Sequence, residues 1–124
     1  MPITRIKEFL KEVDMLIAQH AIYFSMLEKA MEKVKEFDHK SCHECNFGVK
    51  WDNEVAPLKD KLDDELRSLV EEIEKLHCEF HEIAMQINTK NLQPSDKEKL
   101  DRMKELFNLL LQKLLTLKRL LKSE

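Results

Sequence analysis

Two histidines four residues apart, His77 and His81, lie in a stretch whose apolar pattern predicts a helix. Side chains at positions i and i+4 lie one above the other on a helix face, so a single metal ion can bind a nitrogen atom from each. Two further candidate ligands, His20 and Cys45, come from earlier in the chain. Three histidines and one cysteine thiolate are an ordinary ligand set for zinc. The predicted zinc ligands are therefore His20, Cys45, His77 and His81.

A second ligand set stays open because Cys42 and Cys45 have the Cys-x-x-Cys spacing of zinc and redox sites. In that set Cys42 replaces His20, which then becomes a neutral histidine of the core. Both sets fill all four positions around zinc and leave none for a substrate. We therefore expect that the protein is not an enzyme.

The composition predicts an all-α protein. One glycine and three prolines in 124 residues are few helix breakers, while 43% of the residues are hydrophobic and 36% are charged. A chain of this length suits one domain, residues 1–124. The 21 Lys and Arg residues are mixed along the chain with 24 Asp and Glu, so we expect no nucleic-acid surface.

The chain shows no pattern of a signal peptide and no charge-free run long enough to cross a membrane. Three cysteines are an odd number, which favours free thiols over a disulfide framework. We therefore expect a cytoplasmic protein in a reducing compartment.

Apolar residues at helical spacing predict three long helices, over about residues 3–37, 57–88 and 95–122. His20 falls within the apolar stripe of the first helix, and His77 and His81 lie at the edge of the apolar stripe of the second helix. The expected architecture is an antiparallel helical bundle, similar to a four-helix bundle, with an irregular or short-helical loop.

The loop between the first two predicted helices carries most of the remaining ligand-capable residues. His39, Cys42, His43 and Cys45 lie within seven residues of one another, and Gly48 follows shortly after. A long loop inside a small domain is usually functional. This loop is therefore predicted to complete the metal site.

The third predicted helix has more leucines than one core stripe needs. The surplus residues are Leu109, Leu111, Leu115 and Leu120. A smaller apolar face of the first helix has the residues Met15, Ile22 and Met26. We expect a homodimer whose interface uses the surplus leucines, with the smaller face as a second patch.

Three short motifs occur in order along the chain: His20-Ala21-Ile22-Tyr23, Cys45-Asn46-Phe47-Gly48-Val49-Lys50-Trp51 and His77-Cys78-Glu79-Phe80-His81. Together they resemble the motifs of the chemoreceptor zinc-binding (CZB) domain, a bacterial helical-bundle sensor module. Tyr23 stands where that family usually has tryptophan, and Trp51 lies one residue further from Cys45 than in the family pattern.

The resemblance implies that His20, Cys45, His77 and His81 bind the zinc ion. It also implies a cytoplasmic regulatory module that senses zinc, or an oxidant such as hypochlorous acid, through the zinc-bound thiolate. The implied partners are chemoreceptors of chemotaxis and diguanylate cyclases.

Two other functions stay open. Glu36-x-x-His39 and Glu74-x-x-His77 match the Glu-x-x-His element of di-iron bundles of the hemerythrin or ferritin type, although the third helix offers no histidine. The other possibility is a structural interaction module in which zinc only links the helices.

Overall fold

A computed structural model describes residues 2–122 and confirms the all-α helical bundle. Within these residues there are five α-helices, one 3-10 helix and no strand. Their bounds are α1 Pro2–Leu10, α2 Val13–Lys33, α3 Asn46–Glu54, the 3-10 helix Ala56–Lys61, α4 Asp64–Met85 and α5 Asp96–Lys122. No helix in the described part of the chain is both long enough and apolar enough to cross a membrane.

The single first helix predicted for residues 3–37 is wrong, because the chain turns after α1. The N–H groups of Lys11 and Glu12 bond only three residues back, at 3.2 and 3.0 Å, instead of continuing the α-helical ladder. This turn lets α1 pack against α3, where the Phe9 ring meets the rings of Phe47 and Trp51 edge-on. The second half, α2, points His20 towards α4.

Helix α2 ends at Lys33, four residues before the predicted end. Val34 adopts a left-handed conformation with φ 51°, and Lys35 N–H closes the helix end on the carbonyl of Ala30 at 2.9 Å. This geometry is usual for a helix C-terminus, where the chain leaves the helix axis. The chain then turns back towards α4.

Helix α4 begins at Asp64, not at residue 57 as predicted. Pro57 lies in the 3-10 helix, whose first turn accepts it because proline has no N–H to leave unpaired. The start of α4 is set by Asp63, whose side chain accepts a hydrogen bond from Leu66 N–H at 2.9 Å.

The segment between α2 and α3 runs antiparallel to α4. Its contacts pair residues of rising number with residues of falling number: Lys35 with Thr89, His39 with Ile87, Lys40 with His81, Cys42 with Cys78 and Cys45 with His77. This path carries the loop cysteines back to the middle of α4, beside its histidines.

The core forms two clusters of buried apolar side chains. The larger one joins α1, the start of α2, α3, the 3-10 helix, α4 and the second half of α5. The smaller one joins the later half of α2, α4 and the first half of α5. On α2, His20 lies between Leu16 of the larger cluster and Leu27 of the smaller one. The histidines therefore occupy the boundary between two apolar regions.

Candidate metal centre

Four side chains converge at this boundary: His20, Cys45, His77 and His81. Their ligand atoms all lie within 4.8 Å of one another. Nε2 of His20 is 2.9 Å from Nε2 of His77 and 3.3 Å from Nε2 of His81. Sγ of Cys45 is 3.3 Å from Nε2 of His77 and 3.8 Å from Nε2 of His20. A tetrahedral zinc ion with ordinary bond lengths separates two nitrogen ligands by about 3.3 Å, and nitrogen from sulfur by about 3.6 Å. The four atoms therefore have the spacing of a tetrahedral metal site.

Each ligand is positioned by the local structure that carries it. His77 and His81 are one turn apart on α4, and both are buried, deeper than the edge position that the apolar pattern predicted. Cys45 is the N-cap residue of α3, where its sulfur accepts the N–H of Gly48 at 3.3 Å. An N-cap side chain points back over the helix start. That position holds the sulfur over the first turn of α3, 3.3 Å from Nε2 of His77.

Backbone carbonyls fix the orientation of two imidazole rings. Nδ1–H of His20 donates to the carbonyl of Leu16 at 2.9 Å, and Nδ1–H of His81 donates to the carbonyl of Lys40 at 2.8 Å. A neutral imidazole has one N–H, so Nε2 of each ring presents a lone pair. The two Nε2 atoms are 3.3 Å apart, so their lone pairs repel each other unless a cation lies between them.

A proton cannot serve as that cation, because burial disfavours the charged form of the imidazole. Burial lowers the pKa of His20, and burial together with the neighbouring imidazoles lowers the pKa of His77 to about 2 and that of His81 to about 4. All three rings are therefore neutral near pH 7, as metal ligands must be. A metal ion is the cation that fits this donor set.

The Cys45 thiol needs the same cation in order to ionise. Burial raises its pKa, although the N–H of Gly48 lowers it in part. A bound divalent metal stabilises the thiolate directly and displaces its proton. Cys45 is half-buried.

The structure removes Cys42 from the rival ligand set. Cys42 forms a disulfide bond with Cys78, and His20 takes the position that Cys42 would have filled. The expectation that the cysteines would be free thiols is wrong for Cys42 and Cys78. The loop passes α4 at Cys78, one residue after His77, and this brings the two sulfurs together. Cys45 is the free cysteine.

The carboxylates of the di-iron alternative, Glu36 and Glu74, lie outside the cluster of ligand atoms. Glu74 receives hydrogen bonds from Trp51 Nε1 at 2.9 Å and Lys59 Nζ at 2.8 Å. His39 donates from Nε2 to the carbonyl of Ile87 at 3.0 Å. Across residues 2–122, no Asp or Glu belongs to a group of side chains that could hold a metal ion. A di-iron centre needs several such carboxylates.

Supporting contacts around the site were not all visible in the sequence. The Phe47 ring lies 4.5 Å from the His77 ring, and the Tyr23 ring lies 5.1 Å from the His81 ring, measured between centroids. The sequence held a signal for both aromatics, because Tyr23 lies in the motif of His20 and Phe47 lies in the motif of Cys45. The roles of the Leu16 and Lys40 carbonyls could not be predicted from the sequence, because every residue carries the same backbone group.

A cavity of about 570 Å³ opens beside the metal centre. Its walls include His20, Cys45 and His81, together with Tyr23 and Lys40. Cys45 is thus the one ligand of the cluster that is both half-buried and next to this cavity.

Comparisons of the chain with protein families, with curated proteins and with solved structures found no match. The chain is thus a helical bundle with a buried His and Cys group that could bind a metal ion.

Proposed function

We propose that this protein is a zinc-binding regulatory module that holds one Zn²⁺ through His20, Cys45, His77 and His81. The observation that carries the proposal is the convergence of three imidazole nitrogens and one sulfur at tetrahedral spacing. The resemblance to the CZB domain supports the same four ligands and a role in bacterial signal transduction.

Zinc is the metal that this donor set favours. Three neutral imidazoles and one thiolate are of intermediate softness and suit zinc in tetrahedral geometry. Four protein ligands complete the coordination shell, so the ion has no free position for water or substrate. A site of this kind stabilises or senses rather than catalyses.

The position of Cys45 favours sensing over a purely structural role. The site joins α2, α4 and the start of α3, so zinc loss would release contacts between three elements. The same sulfur borders the 570 Å³ cavity, where an oxidant can approach it. Oxidation of a zinc-bound thiolate weakens zinc binding and can change the helix positions.

A structural interaction module is the second candidate function. The exposed apolar side chains of Met15, Ile22 and Met26 on α2 favour a protein partner or a second copy of the chain. A sensor should change its helix arrangement on zinc release or Cys45 oxidation. A structural module should lose stability but respond to no such signal.

Native mass spectrometry tests the zinc assignment. We expect one zinc per wild-type chain with the Cys42–Cys78 disulfide bond intact, and less than a tenth of an equivalent in His77→Ala and His81→Ala. Cys45→Ser should weaken zinc binding strongly, whereas Cys42→Ser should retain a full equivalent. His43→Ala is the matched control, because His43 is exposed and outside the cluster. A full zinc equivalent in both α4 variants would contradict the assignment.

A further inference from the structure

A second group of ligand atoms lies next to the first, around the disulfide bond. Cys42, His77 and Cys78 each offer one ligand atom, and these atoms lie within 4.8 Å of one another. The α-carbons of the two cysteines are 4.8 Å apart. When the bond between them is open, both sulfurs can therefore reach one ion placed between the loop and α4.

This group borders a different cavity from that of the first site. A cavity of about 310 Å³ is lined by Cys42, His77 and Cys78, together with Trp51, His43 and Glu74. The first-site residues His20, Cys45 and His81 line only the larger cavity. The cysteine pair and the other three first-site ligands therefore border different cavities, and His77 is the residue that the two groups share.

We propose that Cys42, Cys78 and His77 form a second metal site, selective for a thiophilic ion and available only when the cysteine pair is reduced. A dithiol reductant supplies two electrons and two protons, breaks the S–S bond and becomes a disulfide itself. The protein then holds two thiols. Binding of the metal displaces both thiol protons and forms two metal–sulfur bonds. Nε2 of His77 faces the first site, so the second ion takes Nδ1 of that ring. When both sites are filled, the imidazole has no N–H left, and its proton is released as well.

The ligand chemistry selects the class of ion. Two thiolates and one imidazole favour a soft or borderline ion, such as Cu⁺, Cd²⁺ or Zn²⁺, over hard ions that prefer oxygen. Two sulfur ligands of a tetrahedral ion lie about 3.8 Å apart for zinc–sulfur bonds of about 2.3 Å. Two thiols in van der Waals contact have nearly the same sulfur–sulfur distance. Reduction of the disulfide bond therefore leaves the two sulfurs at about the spacing that the metal ion requires.

Cadmium titration of the Cys45→Ser variant isolates the proposed site. Cys42 and Cys78 are the remaining cysteines of that variant, so any cadmium–thiolate absorption comes from them. We expect the reduced variant to develop this absorption and to saturate at one Cd²⁺ per chain. The oxidised variant should develop none.

Two controls separate this site from non-specific binding. Adding Cys78→Ser should weaken cadmium binding at least 100-fold, while adding His43→Ala, which removes an exposed imidazole outside the group, should leave it unchanged. Equal absorption in the reduced and oxidised forms, or saturation that survives Cys78→Ser, would overturn the proposal.

Wild-type protein gives a second measurement if Cys45→Ser does not fold. Thiol counting should find three thiols per chain after reduction and one after oxidation. The reduced chain should bind one cadmium ion more than the oxidised chain, and equal stoichiometry would overturn the proposal. Failure here leaves the zinc stoichiometry of the first site unchanged.

Discussion

Gly48 packs directly against the backbone carbonyl of Cys42. A Cβ atom at Gly48 would lie 1.6 Å from that oxygen, a distance that no side chain can occupy. The contact holds the loop against the first turn of α3, whose N-cap residue is Cys45. The only glycine of the chain is therefore required for close approach of two backbone segments beside the metal centre.

Gly48→Ala should disturb the metal centre without touching a ligand. The added methyl group must displace the loop or α3, and either shift moves the Cys45 sulfur. We expect zinc affinity to fall at least tenfold, and the free energy of unfolding to fall by about 1 to 3 kcal/mol, the usual cost of overpacking. Competition with a chromophoric chelator and urea unfolding measure the two effects. Val49→Ala is the control, since Val49 is exposed, and wild-type affinity in Gly48→Ala would contradict the prediction.

Acid should destabilise the metal-free protein. The pKa of His81 is lowered to about 4 and that of His77 to about 2 in the folded state, below the ordinary histidine value. As the pH falls below about 6.5, the unfolded chain takes up protons that the folded chain excludes, so stability decreases.

Urea unfolding between about pH 7.5 and 5 measures this effect. Each excluded proton lowers the free energy of unfolding by up to about 1.4 kcal/mol per pH unit. The His77→Ala variant should show a smaller slope, because it has one excluded proton fewer. A free energy of unfolding that stays flat or rises on acidification would count against buried neutral histidines.

Zinc removal should lower thermal stability, since the facing lone pairs of His20 and His81 then lose their cation. At a zinc concentration 1,000 times the dissociation constant, binding stabilises the fold by about 4 kcal/mol. Thermal unfolding followed by circular dichroism should give a lower melting temperature with chelator than without it. The melting temperature should recover when zinc is restored. His77→Ala should melt at the same temperature in both conditions. If the chelator does not change the melting temperature of the wild type, the folded protein has no tight zinc site.

We expect a homodimer, with exposed leucines of α5 in the interface. The structure revises which leucines are available, because Leu111 and Leu120 are half-buried and Leu120 packs against the larger core cluster. Leu109 and Leu115 are 38% and 59% exposed. Burying one leucine fully contributes roughly 1.5 to 3 kcal/mol before the cost of association.

Light scattering at micromolar concentration measures the state of the wild type and of two variants. Leu109→Glu with Leu115→Glu should give monomers. Ile22→Glu with Met26→Glu tests the α2 patch, whose residues are more than half exposed. A monomeric wild type would remove the dimer from the proposal. A dimer lost only in the α2 variant would move the interface to α2.

Much of the site's local geometry could be predicted from the sequence. Helical periodicity and the scarcity of glycine and proline are properties of short stretches, and they predicted the all-α bundle. The spacing of His77 and His81 is likewise a property of one helix. The polar loop rich in cysteine and histidine marked the segment that supplies Cys45. Each of these inferences depends on residues only a few positions apart.

Only the tertiary structure decided which distant residues meet. The antiparallel path of the loop along α4 pairs Cys42 with Cys78 and brings Lys40's carbonyl to His81. The turn at Lys11 has no glycine or proline to mark it, and it lets α1 pack in the larger core cluster while Leu27 of α2 packs in the smaller one. Cysteine pairing, the choice of His20 over Cys42, and the role of a backbone carbonyl all depend on how separate segments pack. Residue type and spacing along the chain do not contain that information.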